Sequence, residues 1–306
     1  MTIMRVRSGF TALQLADALG PLAGLTGKWV GRGFNLISLP DFDKNAPSTG
    51  PRPFRALFNN TTETLEFVPG IDAPDRGSEV KNSNPPSGQN DIDIVGLRYL
   101  QTITDTNTGD PLHVEPGFWL NVPASDIPKQ PASIVRQGSI PHGSCVLAIG
   151  TGAISVTGKP DFDFKAPDPT PMMDTTPPHA TPFGYTDPLF KNTPLPPPYT
   201  DKDKAIIHSP NNVLKAAFAE FGEYVTETTV LSVSTAPSGG VLNIPFLQNS
   251  TNNNAAATSM SAVFWIQTGM TPLGRPFAVL QYSQTVVLNF IGINWPHVTV
   301  ATLYKQ

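Results

Sequence analysis

Histidine is the residue type in this chain with the widest chemical range, because its ring can serve as an acid, a base or a metal ligand near neutral pH. The 306 residues include five histidines. Three lie in runs that alternate like β-strands: His113 in "PLHVEPGFW", His142 in "SIPHGSC" and His297 in "NWPHVTV". His179 and His208 lie in or at the exit of a proline-rich stretch, where an exposed or helix-capping histidine is expected.

His297 follows Pro296 at the start of the last strand-like run of the chain. On strand geometry it shares one face with three residues, Thr299, Ala301 and Leu303. The other face is also largely apolar, so we expect the ring to be buried and to need a partner for its nitrogens. The residues alone leave open a structural hydrogen bond or a role as a metal or cofactor ligand.

Glu115 lies two residues after His113, so the two side chains share a face if this run is a strand. Such a pair can act as general acid and base, or it can be a structural hydrogen bond. Elsewhere the spacings typical of zinc and calcium sites are missing from the sequence, and so are the contexts of a nucleotide-binding loop or a serine nucleophile.

The composition narrows the range of partners. Charged residues make up 14% of the chain and the formal net charge is −4, which argues against nucleic acid and anionic membranes. The single cysteine, Cys145, excludes an intrachain disulfide framework. No apolar run approaches the roughly 20 residues that a helix needs to cross a bilayer. We therefore expect a soluble, cytoplasmic protein with a small-molecule ligand, and a homodimer is one option that the sequence leaves open.

Proline is unusually frequent in one part of the chain. Of the 33 prolines, 13 fall between Pro160 and Pro210. Proline removes a ladder donor, so this segment cannot be interior sheet. It also holds more aromatic residues than a solvated linker would, namely Phe162, Phe164, Phe183, Tyr185, Phe190 and Tyr199. We predict that residues 158–210 form an insertion packed on the rest of the protein, as a cover over one end or side.

The rest of the chain alternates with period two and predicts a single all-β domain over 1–306. Helical spacing occurs at 13–25, within a predicted N-terminal helical cover at 1–26, and at 211–224. The favoured fold is an antiparallel up-and-down β-barrel of about 10–12 strands with one or two short helices, and a two-sheet sandwich is the alternative. The predicted strands are 27–38, 53–58, 62–68, 93–104, 111–122, 131–139, 143–157, 224–235, 240–247, 259–269, 277–290 and 294–304.

Four stretches, taken in order, resemble the nitrobindins, a family of small haem-binding β-barrels with the shape of fatty-acid-binding proteins. They are "LAGLTGKWVGRGF" (22–34), "TNTGDPLHVEPGFW" (106–119), "SIPHGSCVLAIGTG" (139–152) and the terminal strand with its histidine. The resemblance covers roughly the first 150 residues and, more loosely, the last 80. It does not cover the proline-rich insertion, and Leu120 and Asn121 stand where the family usually has a basic residue.

This resemblance implies a haem b site. His297 would be the axial iron ligand, while His113 and Leu112 would lie on the distal side and His142 would line the pocket. Side chains that could face a porphyrin, or could simply pack in the core, are Phe118, Phe264, Val263 and Leu288.

The implied function is chemistry on nitric oxide, peroxynitrite or peroxide, as in a peroxynitrite isomerase or a peroxidase- or peroxygenase-like enzyme. Two other functions stay open from the sequence. One is a carrier of a lipid or another hydrophobic molecule, and the other is a metal-free enzyme that uses His113 and Glu115.

Overall fold

The computed structural model describes residues 11–40, 54–75, 92–173, 200, 204–236, 238–248, 255–290 and 292–306. Its α-helices in these ranges are α1 (Ala12–Leu19), α2 (Lys204–His208), α3 (Asn212–Phe218) and α4 (Pro245–Gln248). Its strands there are β1 (Gly27–Pro40), β2 (Phe54–Asp75), β3 (Ile92–Asp105), β4 (Pro111–Val122), β5 (Ser125–Asp126), β6 (Lys129–Gln130), β7 (Ser133–Ile140), β8 (Ser144–Gly150), β9 (Ala153–Thr157), β10 (Met172–Met173), β11 (Val225–Ser234), β12 (Gly240–Asn243), β13 (Ala256–Met270), β14 (Pro276–Phe290) and β15 (Ile293–Lys305).

Ten antiparallel strands close into a barrel in the order β1, β2, β3, β4, β7, β8, β11, β13, β14 and β15, and β15 pairs with β1. Strands that are successive in this series are also neighbours in the sheet, which is the up-and-down arrangement. A bridge between Ser234 and Ile149 joins β11 to β8, and the short β9 and β12 extend the pairing on either side of it. The predicted barrel is confirmed.

Several predicted strands have different boundaries in the structure. Positions 54–58 and 62–68, from two predicted strands, belong to one long strand, β2, and position 53 lies outside the described residues. The run 143–157 is divided into β8 and β9, and Gly152 between them has a φ of +103°, which favours glycine. The strand predicted at 240–247 ends at Asn243, and α4 follows it. The helix predicted at 211–224 is shorter in the structure. α3 ends at Phe218, and a separate 3₁₀ turn follows at Gly222–Tyr224.

One end of the barrel is covered by α1 and the 3₁₀ turn Gly20–Leu25. Thr11 begins α1 with a capping box, in which its side chain accepts from the Gln14 amide and the Gln14 side chain accepts from the Thr11 amide. The turn buries Leu22 and Leu25 completely. The fully buried Trp29 donates its indole N–H to the Leu25 carbonyl at 2.7 Å. This end is therefore filled by side chains.

The described parts of the proline-rich segment pack on the outer wall of the barrel. The ring of Phe162 lies 5.2 Å from that of Trp265 on β13 and 5.5 Å from that of Phe218 on α3, measured between centroids. These rings belong to an outer cluster that also includes Ile207 and Leu214. Asn211 at the start of α3 makes no side-chain capping hydrogen bond and donates its amide to the Phe162 carbonyl at 2.7 Å. Residues 174–199 lie outside the described residues. They include His179 and four of the aromatic residues predicted to pack, namely Phe183, Tyr185, Phe190 and Tyr199.

Side chains pack against the inner face of β13 and β15 and also against their outer face. Each of these strands is therefore apolar on both faces. The inner cluster contains Phe264, Ala301 and Leu303, whereas the outer cluster contains Val263 and Val298. By alternation, His297 is on the inner face with Ala301 and Leu303.

Candidate ligand site inside the barrel

His113 and Glu115 point into the barrel from β4, where they are two residues apart. The Nε2 atom of His113 lies 3.2 Å from Oε2 of Glu115. The other carboxylate oxygen, Oε1, accepts from Nη2 of Arg136 on β7 at 2.8 Å and from the hydroxyl of Tyr99 on β3. The predicted His113–Glu115 contact is therefore present, and a buried arginine holds its acidic member.

The charge of Arg136 decides the ionisation of Glu115. Burial on its own raises the pKa of this carboxyl, but the Arg136 charge and hydrogen bonds from His113 and Tyr99 lower its pKa from 4.5 to about 2. For Arg136 itself, burial acts to lower the pKa, whereas the charge of Glu115 raises it above the ordinary value. Both groups are charged at neutral pH, and both are 2% exposed.

Arg136 is also enclosed by aromatic rings and an amide. Its guanidinium lies 5.4 Å from the ring centroid of Tyr99 and 5.6 Å from that of Phe264. Its Nη1 donates to Oε1 of Gln284 on β14 at 2.5 Å. The guanidinium is thus fixed by contacts from several strands and cannot turn freely towards a ligand.

A second buried carboxyl, Glu63 on β2, has no cation in contact with it among the residues that the structure describes. Its Oε2 accepts from the Tyr282 hydroxyl at 2.7 Å and its Oε1 accepts from Nε2 of Gln101 at 2.6 Å. Burial is the dominant effect and raises the pKa of Glu63 to about 7, against the hydrogen bonds of Tyr282 and Gln101. Glu63 is therefore poised to gain or lose a proton near neutral pH.

His297 lies on the inner face of β15, where it pairs with Ile37 of β1 and Val286 of β14. Its Nε2 atom is buried and has no hydrogen-bond partner among the described residues. Burial lowers the pKa of His297 to about 4. The ring is consequently neutral at pH 7, with a nitrogen that no described side chain or carbonyl uses.

The two inner histidines lie towards the same end of the barrel. β4 begins close to His113 and β15 begins close to His297, and both strands run from there to the end covered by α1. His142, in the turn between β7 and β8, is exposed, and its ring centroid lies 6.2 Å from that of His113 with the two planes 18° apart. Three of the histidines singled out in the sequence therefore belong to this end, whereas His208 ends α2 outside the barrel.

Not every predicted contact residue faces inward. Phe118 is 41% exposed on the outer wall, because Gly117 and Trp119 on either side of it take the inner positions; the prediction that it faces a porphyrin in the barrel is wrong. It lines an outer groove of about 540 Å³ instead. Val263 packs in the outer cluster, which agrees with the core-packing alternative given for it, whereas Phe264 faces inward.

Leu112 stands at an irregularity in the β3–β4 register and is half-buried, and Leu288 is likewise half-buried. Five polar interior residues that hold Glu115 or line the barrel were not predicted from the sequence. They are Arg136, Tyr99, Glu63, Gln101 and Tyr282. The sequence "SIVRQGS" (133–139) indicates one of them, because Arg136 lies two residues after Ile134 and so shares a strand face with an apolar residue.

Within the described ranges, His, Cys, Asp and Glu form no cluster of three or more that could hold a bare metal ion. None of the described helices is long and apolar enough to cross a membrane.

The comparisons with known proteins add little to this geometry. No protein-family model matches the chain, and no curated protein matches it. Among solved structures, the chain is similar to the crystal structure of Rv2717c from M. tuberculosis, with a TM-score of 0.43 and 15% identity over 95% of this chain and 97% of that chain. A similarity of this size carries no information about the site.

Proposed function

We propose that this protein is a haem-binding β-barrel in which His297 ligates the iron and which acts on small ligands such as nitric oxide, peroxynitrite or peroxide. The observation that carries the proposal is the buried Nε2 atom of His297, which has no partner among the described residues. A buried polar atom without a partner costs about 1–3 kcal/mol, so a bound group that uses it would recover that cost.

The state of His297 suits a metal ligand. Ligation needs a neutral imidazole, and the low pKa of about 4 keeps the ring neutral throughout the physiological range. A single histidine would be sufficient to hold haem, because the porphyrin itself would supply four nitrogen ligands. When bound, the haem would supply the redox and ligand-binding chemistry, as haem does in other proteins.

His113 is suited to a polar role on the distal side. The ionised Glu115 accepts a hydrogen bond from Nε2–H of His113, which leaves Nδ1 as the acceptor nitrogen of the neutral ring. Arg136 keeps Glu115 ionised, so this tautomer is favoured whenever His113 is neutral. Nδ1 could then hold or take a proton at the mouth of the barrel, next to the exposed His142. Leu112 stays part of the proposed distal side.

The His113–Glu115 contact also favours a second candidate, a metal-free enzyme in which His113 is the general base. It needs no haem, and its dependence on His297 would be weak. None of the contacts described above specifically favours a lipid carrier, the third function that the sequence leaves open.

Haemin titration tests the proposal. We expect the purified protein to take up about one equivalent of haemin with a Soret band, and His297→Ala to lose that band. His208→Ala is the matched control, because His208 is an exposed histidine outside the barrel, and it should titrate like the wild type. Far-UV circular dichroism would verify the fold of both variants. A wild-type protein that takes up no haemin, or a His297→Ala variant with an unchanged Soret band, would contradict the proposal.

A further inference from the structure

We infer that Asn35 is the positioning residue for His297, with its Oδ1 accepting a hydrogen bond from Nδ1–H of the imidazole when Nε2 is engaged by a bound group. The inference rests on the proposed function. Asn35 lies on β1, and its Oδ1 is buried without a hydrogen-bond partner among the described residues. The Asn35 oxygen is therefore an unused acceptor inside the barrel, and Nε2 of His297 is likewise a buried nitrogen without a partner among the described residues.

The strand register brings these two side chains together. Asn35 pairs with Thr299 on β15, and His297 pairs with Ile37, two residues further along β1. Asn35 and His297 are thus diagonal neighbours on the inner face. Such neighbours lie about 7–8 Å apart in antiparallel sheets, within reach of side chains as long as asparagine and histidine.

The other inner neighbours of His297 offer less. Its direct cross-strand partners, Ile37 and Val286, are apolar. On β14 the diagonal neighbour is Gln284, whose Oε1 already accepts from Arg136 at 2.5 Å. The hydroxyl of Thr299, two residues along β15, is another side-chain acceptor next to His297 among the described residues and serves below as the competing assignment.

A hydrogen bond from Nδ1–H to Asn35 would have two consequences at His297. It would fix the tautomer that leaves the Nε2 lone pair free, and it would fix the plane of the ring. It would also make Nε2 a stronger donor to a metal, because the acceptor draws the Nδ1 proton towards itself.

Haemin-loaded variants test this role. Asn35→Leu removes the acceptor at similar volume, and Asn35→Asp keeps an acceptor and strengthens it. Thr61→Val is the matched control, because the Thr61 hydroxyl is also buried on the inner face without a partner among the described residues. Thr61 lies further from His297, since its cross-strand partner on β1 is Gly33. The measurements are the haemin dissociation constant, the iron–histidine stretching frequency of the ferrous protein and the reduction potential.

For Asn35→Leu we expect haemin binding to weaken by about 10- to 100-fold, the range seen when such partners of metal-binding histidines are removed. The stretching frequency should fall and the potential should rise. Asn35→Asp should retain haemin and shift both quantities in the opposite direction, which keeps the test valid even if Asn35→Leu does not fold. Thr61→Val should match the wild type.

Three results would overturn the assignment while leaving haem binding intact. They are an Asn35→Leu protein with wild-type frequency and potential, an Asn35→Asp protein with no shift, and a Thr299→Val protein that alone reproduces the expected changes. If the wild-type protein binds no haemin, the proposed function fails first, and that outcome is separate because it is seen before any variant is compared.

Discussion

Glu115 and Glu63 are both buried inside the same barrel, yet their carboxyl groups titrate in opposite directions from the ordinary value. Glu115 contacts Arg136 at 2.8 Å, and its pKa falls to about 2. Glu63 is hydrogen-bonded by Tyr282 and Gln101, which are neutral, and its pKa rises to about 7. Two good hydrogen bonds therefore do not offset the effect of burial on a carboxyl pKa here, whereas a cation in contact does.

The two carboxyls therefore make the stability depend on pH in opposite ways. Between about pH 2 and 4.5, Glu115 is ionised in the folded state and protonated in the unfolded state, so its contribution is lost as the pH falls through this window. Between about pH 4.5 and 7, Glu63 is protonated in the folded state and ionised in the unfolded state. Its contribution is present below pH 4.5 and is lost as the pH rises towards 7.

Removing the cation is expected to have the largest effect. Arg136→Met leaves Glu115 buried without its ion pair, and losing one partner of a buried pair costs about 3–5 kcal/mol. The variant should be destabilised by that amount in urea unfolding at pH 7. The pKa of Glu115 should rise in this variant, so that it is shifted by burial in the same direction as the pKa of Glu63.

The double variant Arg136→Met/Glu115→Gln is the control for this prediction. It removes both charges, so it should recover a large part of the stability lost in Arg136→Met. If the double variant is no more stable than the single one, the loss comes from the packing of Arg136 against Tyr99 and Phe264 and not from the unpaired charge.

Glu63→Gln tests the other carboxyl. The glutamine is isosteric and does not ionise; its one oxygen can still accept from Gln101, and its NH2 group can donate to the Tyr282 hydroxyl. The free energy of unfolding of the wild type should fall by about 3 kcal/mol between pH 4.5 and 7 through Glu63, at about 1.4 kcal/mol per pH unit. The difference between the variant and the wild type should grow over this window, measured by urea unfolding at several pH values. A constant difference would mean that Glu63 has an ordinary pKa.

The sequence predicts the barrel well because turn residues and period-two alternation recur along most of the chain, and closure needs only that each strand pairs with the next. It does not predict which face of a strand points inward where both faces are apolar. In "SAVFWIQ", Val263 and Phe264 are equally apolar, and the outer cover contributed by Phe162 decides between them. Phe118 and Trp119 present the same ambiguity.

The candidate site was predictable only in part, for a related reason. The contact between His113 and Glu115 follows from their spacing on one strand. The contacts of Glu115 with Arg136 and of Glu63 with Tyr282 join residues 21 and 219 positions apart, so they depend on the closed register of the barrel. Local patterns contain no information at those separations.

A smaller effect is expected when Glu63 loses one hydrogen bond. Tyr282→Phe removes the hydroxyl that donates to Oε2 at 2.7 Å without opening a cavity. A hydrogen bond to a charged group contributes about 1.5–3 kcal/mol and a neutral one about 1 kcal/mol, so the variant should lose more stability at pH 8 than at pH 5. The pKa of Glu63 should rise further. Equal losses at both pH values would argue that Glu63 stays in one protonation state.

The smallest effect is expected for an ion pair on the outer wall, which sharpens the contrast with the interior. Lys215 on α3 contacts Asp163 at 2.7 Å, slightly closer than Arg136 contacts Glu115, but the two side chains are 40% and 71% exposed. Water already solvates both charges, so Asp163→Asn should change the free energy of unfolding by about 0.5 kcal/mol or less, and less still in 1 M salt. A loss near that of Arg136→Met would show that distance and not burial sets the strength of ion pairs in this protein.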